Sequence, residues 1–316
     1  MSEVKKVACR EVYGKTLVEL GKTNPDIVVL DADLSVSTKT STFAKEFPNR
    51  FFDMGIAEQD MISTAAGMAA CGKIPFASTF AVFGSGRAWD QVRLTCAYTR
   101  LNVKIVVTHG GISTGEDGAS HQANEDLAIM RAIPNMNVIV PADGFECAKI
   151  IRAVAAYHGP VYVRLPRLAT PLVHADENFE LKLGKGIIMR EGKDITIFAC
   201  GIMVAMAMEA AEELSKNGCD ARVINLHTIK PFDKELIIKC AKETGAAVTA
   251  EEHSIMGGLG GAVAEVLVEN YPIPMARVGI KDVFGESGKP DELLVKYGLT
   301  AKEIVAAAKA VLKRKI

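Results

Sequence analysis

Residues 103–122 read VKIVVTHGGISTGEDGASHQ. The first part is a run of apolar, mostly β-branched residues without alternation, which suits a strand covered on both faces, as in a parallel sheet. The second part is a loop with four glycines, two histidines, a Glu-Asp pair and several hydroxyls. Parallel sheets place ligands in the loops that leave the C-terminal ends of their strands, so one stretch predicts both a fold class and the position of a site. Two histidines could form a metal pair, but no third ligand candidate stands nearby. Solvated loop residues without function are the plainer reading, and a loop that binds a polyol or sugar is the sharper one.

Working outward, the same alternation recurs. IVVLDAD (27–33), MNVIVPAD (136–143) and VYVRL (161–165) read as further buried strands, and EQDMISTAAGMAACG (58–72) and GFECAKIIRAVAAY (144–157) as helices. Residues 168–190 break the rhythm with mixed charges, Pro and Gly. After them it restarts with ITIFACG (195–201), a helix over 203–217, ARVINLHT (221–228), a helix over 233–243, AAVTAEE (246–252), a helix after GGLGG and MARVGI (275–280). The tail TAKEIVAAAKAVLKRK (300–315) predicts an amphipathic helix with Thr300 as N-cap. The pattern predicts an α/β fold: two consecutive domains, 1–170 and 190–316, with mainly parallel sheets flanked by helices and a linker over 171–189.

Charge balance narrows the function classes. The chain of 316 residues has 37 Lys+Arg against 38 Asp+Glu, a net charge of −1, so a nucleic-acid surface is not its dominant feature. No apolar run approaches the roughly 20 residues of a membrane span, and no apolar segment follows the opening lysines as a signal peptide would require. The cytoplasm is the expected compartment. Seven cysteines, at 9, 71, 96, 147, 200, 219 and 240, form no CxxC pair, which argues against a zinc site or a disulfide framework and for buried reduced thiols.

Three further motifs are ambiguous by residue type alone. Glu58, in DMGIAEQD (53–60), suits a first-turn carboxylate complementing a helix dipole. Phe80 and Phe83, in STFAVF (78–83), suit a core. GGLGGA (257–262) lacks the spacing of a dinucleotide loop and suits tight turning; His253 just before it is expected to be structural, and His158, His174 and His227 receive no role.

Together, GIAEQ (55–59), STFAVF (78–83) and the His109…Glu116-Asp117-Gly118…His121-Gln122 loop resemble the pyrimidine-binding half of the transketolase family, enzymes that use thiamine diphosphate. The resemblance runs from about Arg10 to Arg167, and 190–316 looks like the family's C-terminal domain. It implies a pyrimidine-binding domain followed by that C-terminal domain. The family's diphosphate-binding signature, GDG with a following Asn, is not found, so the resemblance implies the C-terminal subunit of a split transketolase, with Mg²⁺ ligands on an N-terminal transketolase subunit and none here.

The resemblance also implies roles. Glu58 matches the acid that contacts the cofactor's pyrimidine N1′. Phe80 and Phe83 match the aromatic pocket around that ring, with Gly86 at a third aromatic position. Ile56 matches an apolar residue against the cofactor, and Asp33 an acid near it. His109, Asp117 and His121 match substrate-facing positions, with His121 and His109 in the chemistry. Arg10, Ser37 and Arg167 match the sugar phosphate site, although Arg164 stands close enough to substitute for Arg167. The activity implied is transfer of a two-carbon ketol unit between sugar phosphates, active only with the partner and assembled as an α₂β₂ heterotetramer. The alternatives are a β subunit of a 2-oxo acid dehydrogenase E1, or a non-catalytic assembly subunit that keeps the fold.

Overall fold

A computed structural model describes residues 5–315. In chain order its strands are β1 (Lys6–Ala8), β2 (Ile27–Asp31), β3 (Phe51–Asp53), β4 (Ile74–Ser78), β5 (Lys104–Val107), β6 (Asn137–Ile139), β7 (Val161–Arg164), β8 (Ala169–Pro171), β9 (Ile187–Arg190), β10 (Ile195–Ala199), β11 (Ala221–Asn225), β12 (Thr228–Lys230), β13 (Ala247–Ser254) and β14 (Met275–Ile280).

Two sheets organise the chain. The first has the order β12-β6-β7-β5-β4-β2-β3 and the second β14-β13-β10-β11-β9. All neighbours in them are parallel except β12 on β6 and β9 on β11. A two-stranded antiparallel ribbon, β1 with β8, ties the start of the chain to the exit from the first sheet.

The unbroken apolar runs have the expected cause. In β2, Ile27 and Val29 enter a core under the helices Cys9–Thr23 and Gly144–Ala156, while Val28 and Leu30 enter a second core on the other face under the helix Glu58–Ala70. β5 divides likewise, Val106 to the first core and Ile105 and Val107 to the second. A strand covered on both faces has no polar side, so alternation vanishes.

The reading of 221–228 as one strand is corrected. β11 stops at Asn225, the chain turns through Leu226 and His227, and β12 crosses to pair with β6 at the edge of the first sheet. The crossing is fixed at both sides: Leu226 N–H donates to Ala199 O at 2.8 Å and Val140 N–H to His227 O at 2.7 Å. The second core accordingly continues through the junction, joining Val138 and Val140 to Phe198, Leu226 and Ile229. Thr300 occupies the N-cap position, but its hydroxyl bonds the Glu303 carboxylate rather than a backbone N–H. Cys71 is exposed and Cys219 half-buried; the other five cysteines are buried, and all seven are free. No helix among the described residues is long and apolar enough to cross a membrane.

Polar groups weld the junction as well. Arg164 on β7 is buried; its Nε donates to Asp126 Oδ2 at 2.9 Å, and its Nη2 to Ala123 O at 3.1 Å and to Glu252 O on β13 at 2.8 Å. Burial opposes the Arg164 charge, but the Asp126 and Glu252 carboxylates outweigh it and hold the group above its ordinary pKa. Tyr162 donates to the same Asp126 oxygen at 2.8 Å. On the opposite side, buried Glu146 accepts from Ala142 N–H and from Asn225 Nδ2 at 2.8 Å, beside His174. His253 bridges the domains too, its Nδ1 on Ser254 O at 2.7 Å and its Nε2 accepting from Ala128 N–H at 3.3 Å. His253 thus pairs with backbone groups of both domains, and buried His174 and His227 belong to the junction.

Replacing Asp126 by Ala would strand Arg164 as a buried charge. The expected loss is about 3–5 kcal/mol of unfolding free energy, measured by urea denaturation; a loss below about 1 kcal/mol would show that the pair does not hold the junction.

Candidate active site

Five parallel strands of the first sheet end at one edge, and every singled-out residue from Asp33 onward lies in the segment that follows one of them. β2 leads to Asp33 and Ser37, β3 to Ile56 and Glu58, β4 to Phe80 and Phe83, β5 to the 109–122 loop and β7 to Arg167. Arg10, from the first helix, joins them through Nη1, which donates to Ser37 O at 2.9 Å.

Glu58 is the first residue of its helix and is buried, its side chain 1% exposed. Its partner is one that sequence reasoning missed. Arg87 Nη1 donates to Oε1 at 3.0 Å and to Oε2 at 2.9 Å. The same guanidinium lies 4.5 Å over the Phe83 ring. A wide π-helical turn over Phe83–Arg87 places it there, with Ala88 N–H reaching back five residues to Phe83 O at 3.3 Å. Nothing in the amino-acid pattern announces such a turn.

An aromatic stack extends from this pair. Phe80 lies 6.1 Å from Phe83 with nearly parallel rings, and the His109 ring stacks on Phe80 at 3.7 Å. His121 meets Phe83 edge-on at 5.3 Å and Phe80 at 6.2 Å. Phe80 is buried, whereas Phe83 keeps part of its surface open. Gly86 is exposed, and a side chain there would touch nothing.

His109 has a left-handed backbone, φ 60°, a conformation that only surrounding contacts maintain in a non-glycine residue. Its carbonyl accepts from Thr114 Oγ1 at 2.8 Å and its Nδ1 pairs with Thr108 Oγ1 at 2.8 Å. Burial is the main cause that pushes its pKa down to about 3, helped by the charges of Arg10, Arg167 and His121.

The loop beyond His109 is braced by the C-terminal domain. Glu252 Oε1 accepts from Ser113 N–H at 2.7 Å, and Gln122 Nε2 donates to Glu286 O at 2.9 Å. Gly110 and Gly111 are obligatory here: a Cβ would lie 2.4 Å from Arg164 Nε at the first and 2.4 Å from Glu252 at the second.

The basic groups also converge. Burial first, and then Arg167, lower the Arg10 pKa below its ordinary value, against a raising influence of Glu11. Arg10 Nε is buried and donates to nothing among the described residues. Arg167 Nη1 donates to Thr114 O at 3.0 Å and to Glu116 Oε2 at 2.6 Å. Arg164 cannot stand in for it, being spent on Asp126.

Three expected residues stand apart from the stack. Ile56 is 77% exposed. Asp117 is exposed, and its neighbour Glu116 is the acid that engages Arg167. Asp33 is exposed with φ 61°, its N–H donating to Asp53 Oδ1 at 3.2 Å. The buried acid nearby is Asp31 at the end of β2, which accepts from Thr38, Thr40 and Leu34 N–H; burial pushes its pKa up to about 6 against those hydrogen bonds. A cleft of about 820 Å³ beside Arg277, Phe284 and Tyr297 lies on the C-terminal domain and gathers none of these groups.

Residues 5–172 match the family described as transketolase, pyrimidine binding domain, and residues 184–304 match transketolase, C-terminal domain. The chain belongs to the transketolase family. Within it, the chain is 55% identical, over 93% of both sequences, to a putative transketolase C-terminal section of Methanocaldococcus jannaschii. It is 49% identical to the 6-deoxy-6-sulfo-D-fructose transketolase subunit of a Clostridium species, over 97% of this chain and 95% of that one. A solved structure described as a split gene transketolase, inactive beta4 tetramer, superposes with a TM-score of 0.92 at 56% identity, covering 98% of this chain and all of that one.

A histidine with a native pKa of about 3 binds fewer protons in the folded than in the unfolded chain between that value and its ordinary 6.5. Its contribution to stability is present above 6.5 and is lost as pH falls through that window. The His109 ring resonance in the NMR spectrum should stay at its neutral position from roughly pH 8 to 5; a midpoint near the ordinary value would show that the ring is open to water.

Proposed function

We propose that this chain is the C-terminal subunit of a split transketolase and transfers a two-carbon ketol unit between sugar phosphates once paired with an N-terminal, diphosphate-binding subunit. The observation that carries the reading is the convergence of a buried acid, two stacked phenylalanines, two histidines and two arginines at one sheet edge. The relatives that match over nearly their whole length are themselves described as a C-terminal section and a subunit.

The residues suit thiamine diphosphate. Phe83 offers a partly open ring face with a buried carboxyl beside it, and Gly86 leaves the pocket side free. When bound, this cofactor supplies a carbon nucleophile and an electron sink for cleaving the bond next to a ketose carbonyl. Glu58 would hold a proton against the pyrimidine N1′, and Phe80 and Phe83 would orient the ring by offset stacking. Ile56 and Asp33 would border it from the adjacent loops. Mg²⁺ would sit with the diphosphate on the partner.

His109, kept neutral by its burial, would face the donor's carbonyl end as a hydrogen-bonding group rather than a cation. His121 would hold or move a proton at the donor hydroxyls, with Asp117 bonding a further hydroxyl. Arg10 and Arg167, with Ser37, would grip the phosphate; the unpartnered buried Nε of Arg10 suits an anionic acceptor.

Assembly follows from the same surface. Val36, Ile56, Leu94 and Tyr98 expose between 49% and 78% of their area, and covering such apolar surface is what a partner subunit does. The proposed assembly is an α₂β₂ heterotetramer in the cytoplasm, and a site shared between subunits explains why the groups lie on an open edge rather than in an enclosed cleft.

The test is ketol transfer from xylulose 5-phosphate to ribose 5-phosphate by this chain co-expressed with an N-terminal half from the same genome. Glu58→Gln should lower kcat about a hundredfold or more; undiminished turnover removes the role of Glu58. Arg10→Ala should raise KM for phosphorylated donors roughly tenfold, with little change for unphosphorylated ones. Equal losses would remove the phosphate grip.

A further inference from the structure

We infer that Arg87 is a displaceable counter-ion of Glu58: its guanidinium occupies the place the cofactor's aminopyrimidine would take, so that cofactor binding must move it. This inference rests on the function proposed above and concerns how that site is kept before it is loaded.

The ion pair is lopsided. The Glu58 side chain is 1% exposed and that of Arg87 47%. Within the pair the carboxylate is shut away from water, whereas the guanidinium already meets it, so Arg87 is the partner free to leave. Its two contacts are those of a flat, nitrogen-bearing ring: hydrogen bonds to both Glu58 oxygens, and a seat 4.5 Å over the face of Phe83. A ligand ring that stacks on Phe83 and bonds Glu58 competes for both at once.

The backbone permits such a swing without refolding. Gln59 Nε2 donates to the Arg87 carbonyl at 3.2 Å, which pins the main chain. The π-helical turn aims the side chain back over Phe83, and Gly86 leaves open space next to it. Only rotations of the Arg87 side chain are needed. In the chain without cofactor, Arg87 keeps the buried acid paired, so Glu58 is neither stranded nor available.

A ligand that must displace a competing group binds more weakly than the site alone would allow. The experiment is a calorimetric titration of thiamine diphosphate with Mg²⁺ into the complex of this chain with its N-terminal partner, as wild type, Arg87→Ala, Arg87→Gln and Arg87→Lys. The Ala and Gln variants should bind about tenfold more tightly, with the Lys variant near wild type. A second readout uses this chain alone. Arg87→Ala should lower its melting temperature by leaving Glu58 unpaired, and adding Glu58→Gln should restore it, which a packing loss would not. Unchanged or weaker cofactor binding by Arg87→Ala, beside normal binding by wild type, overturns the counter-ion role alone, as does failure of Glu58→Gln to restore melting. If the wild-type complex binds no thiamine diphosphate, the proposed function falls first and this inference with it.

Discussion

A buried guanidinium needs company, and the company that Arg164 keeps decides most of this structure. Its ion pair with Asp126 satisfies the charge; its Nη2 donates to the carbonyls of Ala123 and Glu252. Ala123 closes the glycine-rich loop, and Glu252 lies on the central part of the second sheet. One side chain thereby sets the position of both domains and of the loop that carries His109 and His121. Gly110 is the counterpart of that demand, because the guanidinium fills the space a side chain would need.

The C-terminal domain holds the site without entering it. Its Glu252 caps Ser113, its Glu286 carbonyl receives Gln122, and its His253 receives Ala128 N–H. They brace the loop that follows His109, whose own left-handed conformation, costing about 1–3 kcal/mol if left to itself, is met by Thr114 on its carbonyl and Thr108 on its ring. Rigid support behind a strained histidine is how a loop attains the accuracy of a sheet.

The alternation of apolar runs and helices was sufficient for the fold class, since strands buried on both faces leave a pattern that few other elements mimic. The candidate site was also largely legible: Glu58, Phe80, Phe83, His109 and His121 do meet. The failures have particular causes. ARVINLHT contains no breaker, and only tertiary pairing divides it between two sheets. Asp31 went unnoticed as a buried acid because the groups that fold back on it, Thr38 and Thr40, lie seven and nine residues away and leave no periodic trace. Arg87 depends on a π-helical turn, and Glu252 and Gln122 on contacts between domains. Sequence spacing speaks about neighbours along an element, not about groups brought together from distant segments.

The crossing of β12 has a consequence for how this polypeptide can be divided. β12 belongs by sequence to the second domain, yet it closes the outer edge of the first sheet on β6. Severing the chain between the two sheets would bare a parallel strand with a row of unpaired N–H and C=O groups, an open template for other chains. The two sheets are thus one indivisible cassette. A cut at that seam would lay bare backbone, whereas a cut in a surface loop lays bare only side chains.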